Sequence, residues 1–218
     1  VKVLRQVDIK SNLGLRTQAF AALELLREGR IICAALENGY VLIVDPTLKA
    51  GVDRLKSIKL ISEDIYFPLL VSGVDSLIDL SPNITPALRL VAKEFWPGPL
   101  NIEIQARNSL PWTFGGQSAP NTLIVRAPSS RFLMELLLLI TPLIFTPAAS
   151  IGAKSPIVFK EIEMNLHGEI ELLLNSGPCS DTGFATTVSF LGSSEKVTRE
   201  GLISFYDLKR VLPSIKQS

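Results

Sequence analysis

Apolar positions in residues 16 to 28 recur at helical spacing, with Ala19, Phe20, Leu23 and Leu26 on one stripe and Glu24, Arg27 and Glu28 opposite. The pattern predicts an amphipathic surface helix stopped by Gly29. The period then changes. Arg30 to Leu36 and Tyr40 to Val44 are apolar runs of strand length, and Asn38-Gly39 between them is a tight-hairpin signal. Val52, Leu55 and Ile58, three apart among charged residues, predict a short helix ending near Lys59. Phe67 to Val71 reads as a buried strand. Ser81-Pro82 is expected to open a third helix, because proline in a first turn forfeits no hydrogen bond. Leu88, Val91, Ala92 and Phe95 give that helix one apolar face, and it must end before Pro97, whose ring forbids continuation.

Leu100 to Ala106 alternates apolar and polar residues as a half-buried strand does, and Leu123 to Val125 predicts another, running into Arg126. Ser129 or Ser130 can cap an apolar helix reaching Ile140. Leu143 to Phe145 and Ile170 to Leu174 read as short buried strands. Ser204 and Asp207 have capping-box spacing before the stripe Leu208, Val211 and Leu212. Strands alternate with helices throughout, which predicts a single α/β domain with a mixed sheet over residues 13–212. Residues 1–12 and 213–218 read as a loose extension and tail.

Composition narrows the possibilities. At 218 residues and 47% hydrophobic content, the chain can bury a large core. The stretch from Phe132 to Phe145 is broken by Glu135, Thr141 and Pro142, so it falls short of the roughly 20 apolar residues that span a bilayer. The expectation is a core segment, no membrane contact and a cytoplasmic protein. Cys33 and Cys179 stand far apart, and the single histidine, His167, has no second histidine or cysteine near it, so no metal motif is expected. A formal charge of +1 excludes binding to nucleic acid by bulk electrostatics and leaves only a local basic patch for RNA.

One junction is specific. In Phe95-Trp96-Pro97-Gly98-Pro99-Leu100 the aromatic residues close a helix, Pro97 stops it, Gly98 is expected to supply an unusual dihedral, and Pro99 stiffens the strand entry. This block resembles the hallmark of the YrdC family of nucleotide- and RNA-binding proteins. Further similarities follow in order: Ile58-Lys59 to the start of a Lys-Gly-Arg block, Val125-Arg126-Ala127-Pro128 to a Val-Arg-Val-Pro strand end, Thr186-Thr187-Val188 to a Ser-Thr-Val strand, and Arg199-Glu200-Gly201 to an Arg-Pro-Gly turn. The resemblance implies a twisted open mixed sheet with flanking helices and a concave face. It also implies threonylcarbamoyl-AMP synthase chemistry, in which L-threonine, bicarbonate and ATP, with Mg2+ as the expected companion ion, give threonylcarbamoyl-AMP and pyrophosphate for a tRNA modification. Carried onto this chain, it makes Lys59, Arg126, Thr146, Thr187 and Arg199 nucleotide-binding candidates and Glu37 and Tyr40 substrate-binding candidates.

The chain departs from the family pattern where chemistry is expected. Leu36 replaces a hydroxyl of the threonine loop, Leu60, Ile61 and Ile65 stand where glycine, arginine and lysine occur, and Pro147-Ala148-Ala149 replaces Ser-Ala-Asn. Losing two cations weakens phosphate binding. The expectation is therefore altered or reduced activity, the alternative being a non-catalytic paralogue that binds nucleotide or double-stranded RNA. Bland readings stand beside each candidate: Arg126 as a surface arginine at a strand end, Lys59 as a solvated lysine near a helix C-terminus, Thr186 and Thr187 as ordinary strand residues on opposite faces, and Ser180 to Gly183 as a solvated turn or an anion-binding loop.

Overall fold

A computed structural model describes residues 5–8, 14–61, 66–112, 120–150, 153, 155–165, 170–180, 183–192 and 194–218. In chain order its elements are β1 (Arg5–Asp8), α1 (Leu15–Arg27), β2 (Ile32–Leu36), β3 (Gly39–Val44), α2 (Lys49–Lys59), β4 (Leu69–Leu70), α3 (Pro86–Phe95), β5 (Leu100–Gln105) and β6 (Thr122–Arg126). They continue with α4 (Arg131–Leu137), β7 (Leu143–Pro147), α5 (Phe159–Asn165), β8 (Leu172–Asn175), β9 (Thr186–Ser189), β10 (Lys196–Arg199), α6 (Phe205–Val211) and β11 (Lys216–Gln217). One mixed, open sheet carries all the strands, in the order β1-β8-β2-β3-β7-β4-β6-β5-β9-β10-β11.

Strand alternation sorts the buried residues into two cores. On one face, Cys33, Leu42, Leu69, Ile102, Val125 and Val188 pack with Val52 and Leu55 of α2, Val91 of α3 and Leu208 of α6. On the other, Ile32, Ile43, Leu70, Phe145 and Leu172 pack with Leu26 of α1 and Leu136 of α4. Among the described residues, β5, β9 and β10 contribute nothing to this second core, and their second face carries polar side chains instead.

Several boundaries differ from the pattern reading. The helix α1 buries Leu15, Ala19, Ala22, Leu23 and Leu26, while Phe20 is 47% exposed, because a residue next to Ala19 lies about 100° away around the helix. The third helix begins at Pro86, not Pro82. Thr85 caps it by accepting from the Leu88 N–H at 3.1 Å, whereas Ser81-Pro82 belongs to the preceding loop. The helix α4 ends at Leu137 rather than at Ile140. Both segments read as loose ends contribute an edge strand, since β1 pairs in parallel with β8 and β11 with β10. Backbone pairing at a sheet edge needs no apolar side-chain pattern, which is the signal both segments lack. The loop with Gly115-Gly116 lies outside the described residues, as do Ile65, His167, Asp181 and Thr182.

Candidate functional site

Two of the candidates meet directly. The β2–β3 hairpin, with Leu36 opposite Gly39, puts Glu37 and Asn38 at its two-residue tip. Glu37 pairs with the Arg126 guanidinium at the end of β6, and Asn38 Oδ1 accepts from Arg126 Nη2 at 3.2 Å. Arg126 Nε donates to the Gly98 carbonyl at 3.2 Å, which ties the proline-rich junction into the same node. The second Glu37 oxygen accepts from the Ser129 N–H, and Asn38 Nδ2 reaches the Gly183 carbonyl at 3.0 Å. Arg126 is thus a buried residue, 2% exposed, and the reading of it as a surface arginine is incorrect. Burial pushes the Glu37 carboxyl up, but the Arg126 charge and the Ser129 hydrogen bonds outweigh it and hold the carboxyl below its ordinary range. Burial lowers the Arg126 value, Glu37 opposes this, and the charge of Arg199 adds to the lowering.

From Arg126 a polar row crosses the sheet. Val125 pairs with Ile102, so Arg126 and Asn101 are next in register; Asn101 pairs with Thr187, and Thr187 with Arg199. Three predicted residues, Arg126, Thr187 and Arg199, therefore share one face of β6, β9 and β10, with Asn101 between them. Asn101 is 8% exposed; its Nδ2 donates to Thr187 Oγ1 at 3.4 Å, and its buried Oδ1 has no hydrogen-bond partner among the described residues. Arg199 donates to the Ala185 carbonyl at 3.1 Å and lies over the Phe184 ring, 5.7 Å from its centroid. Thr186 faces the opposite side and caps the Ile203 segment, its hydroxyl donating to the Ile203 carbonyl and accepting from the Gly201 and Ile203 N–H groups.

Lys59 and Thr146 lie elsewhere. Thr146 pairs with Leu42 and shares the face of Leu42 and Ile144, opposite to that of Arg126. Lys59 is 6% exposed rather than solvated, and its ammonium donates to the Pro147 carbonyl at 2.9 Å and to the Ala149 carbonyl. Burial lowers its pKa. Tyr40 is buried too; its hydroxyl donates to the Gly177 carbonyl at 2.7 Å and lies 3.2 Å from Asn175 Oδ1, tying β3 to the segment after β8. Cys33 and Cys179 are free thiols whose pKa values burial raises, Cys179 to about 11, so neither is an activated nucleophile.

A cleft of about 320 Å³ opens beside the hairpin tip. Ala35, Leu36 and Glu37 form one side, Ser129 to Phe132 a second, and the segment from Ser176 to Ser180 a third. Against this geometry the Sua5/YciO/YrdC family model, described as "Telomere recombination", matches residues 24–201. The chain belongs to this family.

Its relatives carry one activity in their names. A threonylcarbamoyl-AMP synthase of Pyrococcus abyssi is 24% identical over 192 residues, covering 88% of this chain and 56% of its own length. One of Pseudomonas fluorescens is 28% identical over 151 residues, covering 69% of this chain and 80% of its own. Among solved structures, P. abyssi Sua5 complexed with L-threonine superposes with a TM-score of 0.85 at 21% identity, over 99% of this chain and 62% of that one. Escherichia coli YciO gives 0.80 at 18% identity, over 95% and 100%. These superpositions establish the Sua5/YciO fold for this chain.

Within that fold the pattern reading missed Asn38 and Asn101. Asn101 looked like one of the polar positions of an alternating strand, and only its cross-strand register with Arg126 and Thr187 reveals it. Gly98 also acts differently from expectation. A Cβ there would lie 2.6 Å from the Phe95 carbonyl, so close backbone approach, not an unusual dihedral, requires glycine. Among the described residues no helix is long and apolar enough to cross a membrane, and no group of three or more His, Cys, Asp or Glu could hold a metal ion.

Proposed function

We propose that this chain is a threonylcarbamoyl-AMP synthase of low turnover that seats a small amino acid in the cleft at the hairpin tip and an ATP beside it. The observation that carries the reading is the cleft itself, walled by Ala35, Leu36 and Glu37, the segment aligned with the threonine loop. Support comes from the relatives' names and from the L-threonine complex of P. abyssi Sua5. In this reading Glu37 frames the cleft, Tyr40 braces the hairpin behind it, and the Arg126, Thr187 and Arg199 row faces the nucleotide; Thr146 lies on the opposite side of the sheet, and Lys59 holds the end of β7. An ammonium has three donors, and two of those on Lys59 are already given to carbonyls. Arg126 is already neutralised by Glu37. Of the row that faces the nucleotide, Arg199 keeps its charge free of any ion pair among the described residues and is left to stabilise a developing pyrophosphate, while positioning supplies most of the rate. Mg2+ arrives with the ATP phosphates, and a cytoplasmic site of action goes with a tRNA-modifying role.

The internal use of Arg126 by Glu37 and of Lys59 by two backbone carbonyls favours a second reading, a paralogue that binds nucleotide or double-stranded RNA without turnover. Pyrophosphate release by the purified chain with MgATP, L-threonine and bicarbonate separates the two. Slow release that requires all three reactants is expected. ATP binding without release, alongside an active family member, selects the second reading, and binding of neither ATP nor RNA rejects both.

A further inference from the structure

The cleft beside the hairpin tip has two unlike walls. Leu15, Leu36 and Phe132 belong to the second core and end at the cleft, with Ala35 beside them. No side chain on that wall can donate or accept a hydrogen bond. The other walls are polar. Ser129 and Ser130 lead into α4, Ser176 and Ser180 come from the segment after β8, and Arg131 stands at the rim. Arg131 makes no hydrogen bond or ion pair among the described residues, so its guanidinium is available to a carboxylate. Glu37, the acid of the cleft, is taken by Arg126 and Ser129. The cleft therefore suits a small molecule with an anionic, hydrogen-bonding end and a short aliphatic end.

We infer that the amino acid taken by this cleft is aliphatic at the β-carbon, of the size and shape of valine, with Leu36 the residue that sets the preference. The inference rests on the proposed function, which places an amino acid here. Threonine and valine have nearly the same volume and differ by a hydroxyl in place of a methyl. Against Leu36 that hydroxyl loses its water and gains no partner, whereas a methyl keeps full contact. A hydrophobic pocket separates such isosteres by on the order of a hundredfold at most.

Calorimetric titration of the full chain with L-valine and with L-threonine, each with ATP present, tests this. Valine is expected to bind on the order of ten- to a hundredfold more tightly. Threonine binding as tightly as valine, or more so, overturns the inference and leaves the proposed function standing. If neither amino acid binds, both fall. Leu36→Thr is expected to narrow the gap or reverse it, and an unchanged gap in a variant whose circular dichroism is native counts against Leu36. Because Leu36 is a core residue, the wild-type comparison of valine with threonine stands without the variant.

Discussion

Glu37 and Arg126, 89 positions apart in the chain, close on each other with side chains only 9% and 2% exposed. The pair fastens the β2–β3 hairpin to the end of β6, and through Gly98 to the junction that precedes β5. Removing one partner leaves the other charged and out of water. Glu37→Gln is expected to cost about 3 kcal/mol, and Arg126→Met a similar amount. The double variant is expected to lose clearly less than the sum of the two. Urea denaturation of the four proteins measures the coupling, and strict additivity would show that the pair does not act as a unit.

The same pair shapes the response to acid. The folded-state pKa of Glu37 lies below its unfolded value, so its contribution is fully present above about pH 4.3 and is lost as pH falls through the lower folded value. Wild-type stability is expected to decline through that window more steeply than that of Glu37→Gln. Denaturation curves from neutral pH down to about pH 3 compare the slopes; parallel acid limbs would contradict the assignment.

Gly98 is held by close approach on both sides. Its N–H donates to Ala127, its carbonyl accepts from Arg126, and an added Cβ would strike the Phe95 carbonyl. Since the obstacle is backbone, relief requires moving the end of α3 or the start of β5. Gly98→Ala is expected to destabilise by about 1–3 kcal/mol. It should also lower the affinity for any ligand of the Arg126 row, which differential scanning calorimetry with and without ATP would read.

The parts of the molecule legible from residue pattern are those where side-chain period and local chemistry agree. The Glu37-Asn38-Gly39 hairpin formed because two strand-length apolar runs flank it, and the Ser204 cap formed because its signal is local: Ser204 Oγ accepts from the Asp207 N–H at 3.1 Å and donates to the Asp207 carboxylate at 2.6 Å, where a full capping box would put that carboxylate on the Ser204 N–H. Illegible were features decided by distant partners. Lys59, at a helix end among charged residues, looks solvated until Pro147 and Ala149, some 90 residues on, supply its acceptors. Pro82 and Pro86 both carry the first-turn signal, and the Thr85 cap selects the second. Asn101 became a candidate only through pairing with Thr187.

Asn101 offers a test of whether stability has been given up for binding. Its buried Oδ1 has no partner among the described residues, and asparagine is poorly suited to a strand. Asn101→Val removes the orphaned acceptor and adds a β-branched side chain, while Thr187 retains its hydroxyl. A gain of about 1 kcal/mol in the ligand-free protein is expected. The same change should weaken ATP binding. A variant that is both less stable and equally able to bind ATP would remove Asn101 from the candidate site.

Lys59 gives the alkaline counterpart of the acid prediction. Burial lowers its folded pKa below the unfolded value of about 10.4, so the unfolded chain holds the extra proton between those two values and stability rises with pH across that interval. The ammonium nevertheless answers the Ala149 carbonyl, which has few alternatives because Ala149 is buried, whereas the exposed Pro147 has solvent beside it. Lys59→Met is therefore expected to cost about 1–3 kcal/mol at neutral pH through the orphaned carbonyl, and to abolish the rise above neutrality. Denaturation at pH 7 and near pH 10 reads both effects. A variant as stable as wild type at pH 7 would show that the buried lysine is tolerated there without holding the β7 end in place, and would leave its remaining N–H as a ligand contact alone.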